Sequence, residues 1–247
     1  MSYDLEINKN LEKLVSGKRV VVVGPAPHLV GRSLGNEIDK FDIIVRLNEV
    51  IPPENHRADY GSRTDIMFHN LGDKSMEGLI PKVSRDKGAF LDLKMVVCAA
   101  TKSNHEDHNF LNHPLDHVSG VVKNFYSLGY PEIPFYWIGH KNYRSIYKFF
   151  EKEPHTGSLA ICVLAKYPIK ELHLTGLTFH ATGDTCEQLY RDGHWEEVEL
   201  ANKPETGWYG GFHHGSTLEQ MEKVISVVTN NDFITTDKKL QELGFPK

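Results

Sequence analysis

The stretch Arg19-Val-Val-Val-Val-Gly24-Pro-Ala-Pro-His28 decides how the rest of this 247-residue chain is read. Four successive valines closing on a glycine suit a strand of a parallel sheet covered on both faces; a half-exposed strand would alternate apolar with polar residues. A helical stretch from about Val30 to Asp39 follows, and then a second apolar run, Ile43-Ile-Val-Arg46-Leu-Asn48, that ends on a polar residue. Strand, tight Gly/Pro loop, helix and strand make the unit of doubly wound sheets, whose ligands bind at the carboxyl ends of the strands. Gly24 and Asn48 stand at two such ends.

The same alternation continues in both directions. Met1–Gly17 reads as a short amphipathic helix through Leu5, Leu11, Leu14 and Val15, with Gly17 as its stop. Ile51–Arg63 is a polar loop. Strands are expected at Thr64–Phe68 (with His69 and Asn70 at its end), Leu93–Cys98, Phe135–Ile138 and Leu172–Thr175, the last ending at Gly176. Helices are expected at Gly72–Val83, Ser119–Leu128, Asn142–Lys152 and Leu159–Tyr167, and over Ser216–Thr229 with Leu218, Met221, Val224, Ile225 and Val228 on one face. An apolar patch, Phe233-Ile234, and a terminal helix close the chain. Ala181–Phe212, rich in Gly, Glu, Asp, Trp and His and without periodicity, reads as a lid or active-site loop. The predicted fold is α/β: one domain over residues 1–247 with a mostly parallel, doubly wound sheet.

Composition narrows the function. A net charge of −5 with no Lys/Arg cluster excludes a nucleic-acid binder. Residues 1–18 are too polar for a secretory signal, and no apolar run reaches membrane-spanning length, so a cytoplasmic protein without a membrane span is expected. Cys98, Cys162 and Cys186 are odd in number and far apart, which fits reduced thiols, with Cys98 and Cys162 in the core. His105, His108, His113 and His117 lie among Asn and Asp between Thr101 and His117; with no carboxylate or cysteine completing a tetrahedral set, they read as a solvated loop and no metal is expected.

Three stretches have the residue types for chemistry. The loop after the first strand departs from G-x-G-x-x-G, and Pro25 has no N–H to offer a pyrophosphate, so a dehydrogenase, methyltransferase or P-loop reading fails. Thr156-Gly157-Ser158 opens a helix just beyond Pro154. Unpaired N–H groups, two hydroxyls and a glycine suit an anion there, although Thr or Ser as a plain N-cap fits equally well. In His214-Gly-Ser-Thr-Leu-Glu219, a histidine precedes a helix whose first turns hold a carboxylate able to orient it, an arrangement suited to a general base; a loop histidine beside a macrodipole-favouring Glu is the plainer alternative. His194, followed by Trp195, is a second candidate.

Together these pieces resemble the eukaryotic-type sialyltransferases, glycosyltransferase family 29, which are read through four short motifs in fixed order. The long motif is similar to Val21-Val-Val-Gly24, Gly35-Asn-Glu-Ile-Asp39, Arg46-Leu-Asn48 and Gly61-Ser-Arg-Thr64; the small motif to Pro154–Ser158 through Leu172–Gly176; the third to His194-Trp-Glu196; the last to His214 through Glu219. The resemblance spans about residues 18 to 220. It implies a GT-A-like Rossmann variant. It also implies inverting, metal-independent transfer of sialic acid, or a related ulosonic sugar such as Kdo, from a CMP-sugar donor to a glycan or glycolipid acceptor, with no further cofactor. Carried over, Gly24, Pro25, Asn48 and Gly176 would meet the nucleotide, and Thr156, Gly157 and Ser158 the donor's anionic groups. His214 would be the base, with Glu219 beside it, and His194 would stabilise the departing phosphate.

Three departures stand out. Pro25 replaces the family's Asn. Val20 and Ile169 replace its cysteine pair. The Golgi anchor and stem are absent from this sequence. The last two suit a reducing compartment and a prokaryotic, viral or otherwise cytosolic relative. Pro25 keeps open a second class, a non-catalytic nucleotide- or glycan-binding module on the same fold.

Overall fold

The computed structural model of the chain describes residues 3–48, 52, 54–71, 76, 92–99, 122–128, 133–179 and 217–247. Its centre is a seven-stranded sheet: β1 (Arg19–Val23), β2 (Ile43–Leu47), β3 (Ile66–His69), β4 (Met95–Cys98), β5 (Phe135–Trp137), β6 (Glu171–Thr175) and β7 (Ile234–Thr236). The order is β5-β4-β3-β2-β1-β6-β7 and every pair is parallel. The chain winds outward from β1 to β5, then crosses back to lay β6 on the other side of β1, pairing Val23 with Thr175. Winding therefore reverses between β1 and β6, and the carboxyl ends of those two strands form the crevice where such sheets bind ligands.

The valine run is buried throughout because its two faces meet different layers. Val20 and Val22 join Ile43, Val45, Leu47 and Leu174 under the helices Gly139–Phe150, Thr156–Leu164 and Thr217–Thr229. Val21 and Val23 face Leu29, Ile38, Phe41, Ile44 and Tyr60 on the other side. A third cluster, built on Met67, Val96 and Cys98, lies under β3 and β4. The Thr156–Leu164 helix is apolar all round and buried from Ser158 onward, as a helix wedged between sheet and outer helices must be.

Several elements differ from expectation. The stretch Val30–Asp39 is not one helix: a 3₁₀ turn, Pro27–Leu29, is followed by left-handed Gly31 (φ +73°) and Ser33 (φ +54°), leaving only Gly35–Ile38 helical. The Asp59 carboxylate accepts from the N–H groups of Gly31 (2.9 Å) and Ser33 (2.8 Å), so tertiary contact pulls these residues out of helical register. Helix replaces only part of the expected Met1–Gly17 run. It begins at Lys9 because Asn8 caps it, and the preceding segment is tied to the Thr156–Leu164 and Gly139–Phe150 helices by Tyr3 Oη to Cys162 O (2.8 Å) and Glu6 N to Asn142 Oδ1 (2.7 Å). The polar loop Ile51–Arg63 contains a 3₁₀ turn and the short helix Arg57–Tyr60. The apolar patch Phe233-Ile234 leads into β7, which makes the sheet seven strands wide. Within 119–128, residues 122–127 are helical. Most of the expected Gly72–Val83 helix, the histidine-rich 101–117 stretch, Cys186 and the whole of 181–212 lie outside the described residues.

Cys98 and Cys162 are buried thiols, as expected, and burial pushes the Cys162 thiol up to about 12. Val20 and Ile169, which the resemblance sets where a cysteine pair would stand, both belong to the largest apolar core cluster. Among the described residues no helix is long and apolar enough to cross a membrane.

Candidate active site

The crevice between β1 and β6 is built on two glycines packed backbone to backbone. A Cβ on Gly24 would lie 2.3 Å from the carbonyl oxygen of Gly176, and one on Gly176 would lie 2.5 Å from that of Gly24. Gly176 also sits at φ +69°, the left-handed region that glycine tolerates without penalty. Gly24 N donates to Thr175 O (2.9 Å), and Ala26 N donates to Gly176 O (2.8 Å). The amides after β1 are therefore spent on the neighbouring turn, and Pro25 has none. This loop holds no run of N–H groups for a pyrophosphate, in agreement with the reading of its prolines.

Asn48 ends β2 one strand away. It takes φ +52°, a conformation in which asparagine is among the few well-tolerated side-chain-bearing residues, and its N–H donates to Phe68 O at 2.6 Å. Its side chain reaches the Thr156–Leu164 helix, where Thr156 Oγ1 donates to Asn48 Oδ1 at 3.2 Å. The helix cap is His155, and no side chain caps the first turn. Thr156 is thus turned to Asn48 and away from its own backbone, while Ser158 Oγ is fully buried with no hydrogen-bond partner. Neither hydroxyl serves as a plain cap. A Cβ on Gly157 would stand 3.2 Å from Leu47 Cδ1, so glycine lets the helix start lie against the end of β2. The structure accordingly brings Gly24, Pro25, Asn48, Thr156, Gly157, Ser158 and Gly176 to one edge of the sheet.

The charged residues of the long motif face elsewhere. Arg46 is fully buried and donates from Nε to Arg63 O (3.0 Å) and Thr64 Oγ1 (3.2 Å) and from Nη2 to Tyr60 O (2.9 Å). Asp39 accepts from Ser62 N (3.0 Å) and Ser62 Oγ (2.9 Å), and Gly61, at φ +76°, leaves room for that carboxylate. Asp65, also fully buried, accepts from Ile44 N (2.8 Å) and Arg63 Nη2 (2.9 Å) and pairs with Lys94 Nζ (2.7 Å). These groups lock residues 60–65 onto β2. Tyr60 Oη then donates to Ala26 O (2.7 Å), which carries the lock to the loop after β1.

His214 and His194 lie outside the described residues. Glu219 is exposed in the first turn of the Thr217–Thr229 helix. Sequence reasoning missed its neighbour Gln220, which is 2% exposed. Gln220 donates from Nε2 to Glu153 O (2.9 Å) and accepts from His155 N (3.4 Å), so the helix start is fastened beside the Thr156 turn. The sequence reading also passed over Asp237, whose Oδ2 accepts from Gly176 N at 3.0 Å. Thr236-Asp237-Lys238 ahead of a helix is a recognisable N-cap pattern, and Asp237 Oδ1 does accept from Leu240 N (2.9 Å). Among the described residues no three His, Cys, Asp or Glu side chains converge as a metal site.

Residues 6–103, which hold β1, β2 and the 60–65 lock, match the model for glycosyltransferase family 29 (sialyltransferase). Over that stretch, less than half of its length, the chain is similar to glycosyltransferase family 29. A curated relative, the CMP-N-acetylneuraminate-beta-galactosamide-alpha-2,3-sialyltransferase 4 of Pan troglodytes, is 28% identical over 221 residues, covering 81% of this chain and 61% of the relative. The chain thus spans about three fifths of the length of that relative. The fold is that of solved sialyltransferases. A mammalian sialyltransferase superposes with a TM-score of 0.54 at 18% identity, covering 94% of this chain and 74% of that one. CstII from Campylobacter jejuni, in complex with cytidine-5'-monophosphate, superposes with a TM-score of 0.51 at 14% identity, covering 90% and 80%. The chain therefore carries the parallel-sheet, GT-A-like architecture that the resemblance implied.

Proposed function

We propose that this chain transfers sialic acid, or a related ulosonic sugar, from a CMP-sugar to a hydroxyl of a glycan or glycolipid acceptor, with inversion and without a metal or further cofactor. The observation that carries the reading is the meeting, at the β1–β6 switch point, of the Gly24–Gly176 contact with Asn48 and an uncapped helix start whose Ser158 hydroxyl is buried and unpartnered. Glycines admit a nucleotide close to backbone, and the helix start favours the negative charge of a monophosphate or a sugar carboxylate. The names of the relatives, which act on CMP-N-acetylneuraminate or bind cytidine monophosphate, support the donor class.

In this reading His214 removes the proton of the acceptor hydroxyl as its oxygen bonds to the anomeric carbon, and the bond from that carbon to the CMP phosphate breaks on the opposite side. Glu219 steadies His214, and His194 offsets the charge gathering on the leaving phosphate. The Gln220 clamp supports this assignment, because it fastens the helix that follows His214 beside the Thr156 turn. Buried thiols at Cys98 and Cys162 and an apolar pair at Val20 and Ile169 suit a reducing compartment such as the cytoplasm.

The test is incubation of the protein with CMP-Neu5Ac or CMP-Kdo and galactose-terminated acceptors in the presence of a chelator, following CMP release and product mass. Transfer is expected. CMP binding without turnover would instead favour a non-catalytic binding module, and absence of binding, hydrolysis and transfer would overturn the reading. His214→Ala is expected to abolish transfer and leave CMP affinity nearly unchanged. A large loss of affinity would make His214 a donor ligand.

A further inference from the structure

The Asp237 carboxylate has no part in the reaction proposed above, yet it is the hub of the switch point. Its Oδ2 accepts from Thr175 Oγ1 (2.9 Å), Gly176 N (3.0 Å) and His28 Nε2 (3.0 Å), and its Oδ1 caps the Lys238–Glu242 helix through Leu240 N (2.9 Å). One side chain at the end of β7 thereby joins the turn after β6, the 3₁₀ turn after β1 and the C-terminal helix. Burial by itself raises the Asp237 pKa, but the donors from His28, Leu240 and Gly176 outweigh it and hold the group at about 2, so it is an anion at neutral pH. An anionic carboxylate only accepts, so His28 Nε2 carries the hydrogen. The other ring nitrogen, Nδ1, is buried without a partner.

The consequence for the crevice follows from the peptide joining Thr175 to Gly176. Its carbonyl accepts from Gly24 N at 2.9 Å, and its N–H is held by Asp237 at 3.0 Å, so the peptide is pinned from both sides. The next carbonyl, of Gly176, accepts from Ala26 N at 2.8 Å. The close approach of the two glycines thus depends on a residue more than sixty positions further along the chain. His28, two residues beyond Ala26, fastens the loop after β1 to the same carboxylate.

We propose that Asp237 and His28 are positioning residues of the donor pocket, setting the Gly176 turn and the loop after β1 in the geometry that admits the nucleotide. This rests on the CMP-sugar reading and deepens it. The full chain, as wild type and as Asp237→Asn, His28→Ala, His28→Gln and Leu240→Ala, is to be compared for CMP affinity by calorimetry, for donor KM and kcat, and for melting temperature, with binding measured well below every melting point. Asp237→Asn and His28→Ala are expected to raise the CMP Kd and the donor KM by about tenfold while kcat changes far less, as for a misplaced pocket. His28→Gln, whose amide N–H₂ replaces the Nε2 donor, should recover most of the affinity. Leu240→Ala, which opens the core beneath the same helix, should lower the melting temperature and leave Kd and KM as in the wild type.

Wild-type Kd and KM in both Asp237→Asn and His28→Ala would overturn the proposal, as would an equal rise in Leu240→Ala, which would make the carboxylate a stability element only. If Asp237→Asn does not fold, the contrast between His28→Ala and His28→Gln decides alone. A wild type that binds no CMP overturns the donor reading itself, and this proposal with it; binding with unaltered variants overturns this proposal alone.

Discussion

Gly24, Gly157 and Gly176 are all in the candidate site, yet the structure gives them different physical jobs. Gly176 combines φ +69° with a backbone oxygen 2.5 Å from where a Cβ would stand, and neither problem is relieved by turning a side chain. Gly176→Ala is therefore expected to cost at least ~2 kcal/mol, from left-handed strain together with overpacking against backbone. Gly157 has an ordinary helical backbone and meets only the flexible tip of Leu47 at 3.2 Å. Replacing it with alanine gains up to ~1 kcal/mol of helix propensity, which offsets the tight contact, so stability should stay within about 1 kcal/mol of wild type. CMP affinity should nevertheless fall, because the methyl group stands at the helix start assigned to the donor. Chemical denaturation and calorimetry on the two variants check this. A Gly157→Ala protein with full CMP affinity would show that this glycine serves packing alone. Asn48 needs no glycine, since asparagine tolerates its φ of +52°, and that choice leaves an amide in place to receive Thr156.

Among the elements, the long motif is mainly a fastening device. Arg46, Asp39 and Asp65 each hydrogen-bond to residues 60–65 or β2, and Tyr60 passes the fixation to Ala26. The spacing of these residues in the sequence is legible as a pattern, but nothing in it says that their charged groups face inward to backbone and away from a ligand. The Thr217–Thr229 helix gives the complementary case. Its apolar stripe is plain from the periodicity, whereas Gln220 reads as one more polar position at its start. Packing against the Glu153–His155 segment converts it to a clamp. Gln220→Ala would leave Glu153 O and His155 N without that partner, at a cost of about 1–3 kcal/mol. Transfer activity should fall with it, because the clamp sets the helix start against the Thr156 turn. Urea unfolding and a transfer assay read the two effects. Unchanged activity in a destabilised protein would confine Gln220 to packing.

For the molecule as a whole, the C-terminal segment is a brace on the crevice and no appendage. β7 completes the sheet beside β6, Asp237 holds the Gly176 turn, and Phe245 stacks on Phe179 at 5.5 Å, just before the 181–212 stretch begins. This brace carries a pH signature. The Asp237 carboxyl is held at about 2 in the folded chain, below its ordinary 3.8. Its contribution to stability is accordingly complete above pH ~4 and is lost as the pH falls through ~2. Allowing for partial solvent screening, this contribution is about 1–2 kcal/mol. Asp237→Asn should therefore flatten the decline in unfolding free energy between pH 4 and pH 2, measured by urea titration at several pH values, with no new pH dependence near neutrality. An unaltered acid slope in the variant would exclude the carboxylate as its source.

The parallel sheet, its core and the edge that carries the candidate site are legible in local sequence. A run of valines that is apolar at every position suits only a strand covered on both faces, and a strand that ends on Gly or Asn marks its own carboxyl end. Gly24, Asn48 and Gly176 end strands, and parallel strands share the direction of those ends, so they fall along one edge; the resemblance alone added Thr156–Ser158, a helix start that the fold brings to the same edge. Local pattern did not determine where Val30–Asp39 stops being a helix, since the Asp59 carboxylate decides that from 26 to 28 positions away. Nor did it assign work to Gln220 or Asp237, polar residues that look like surface or capping positions until the fold buries the first and half-buries the second. Their partners are hydrogen-bonding groups of distant segments. Only tertiary structure brings a donor and an acceptor from residues 28, 176 and 237 within 3 Å of one another.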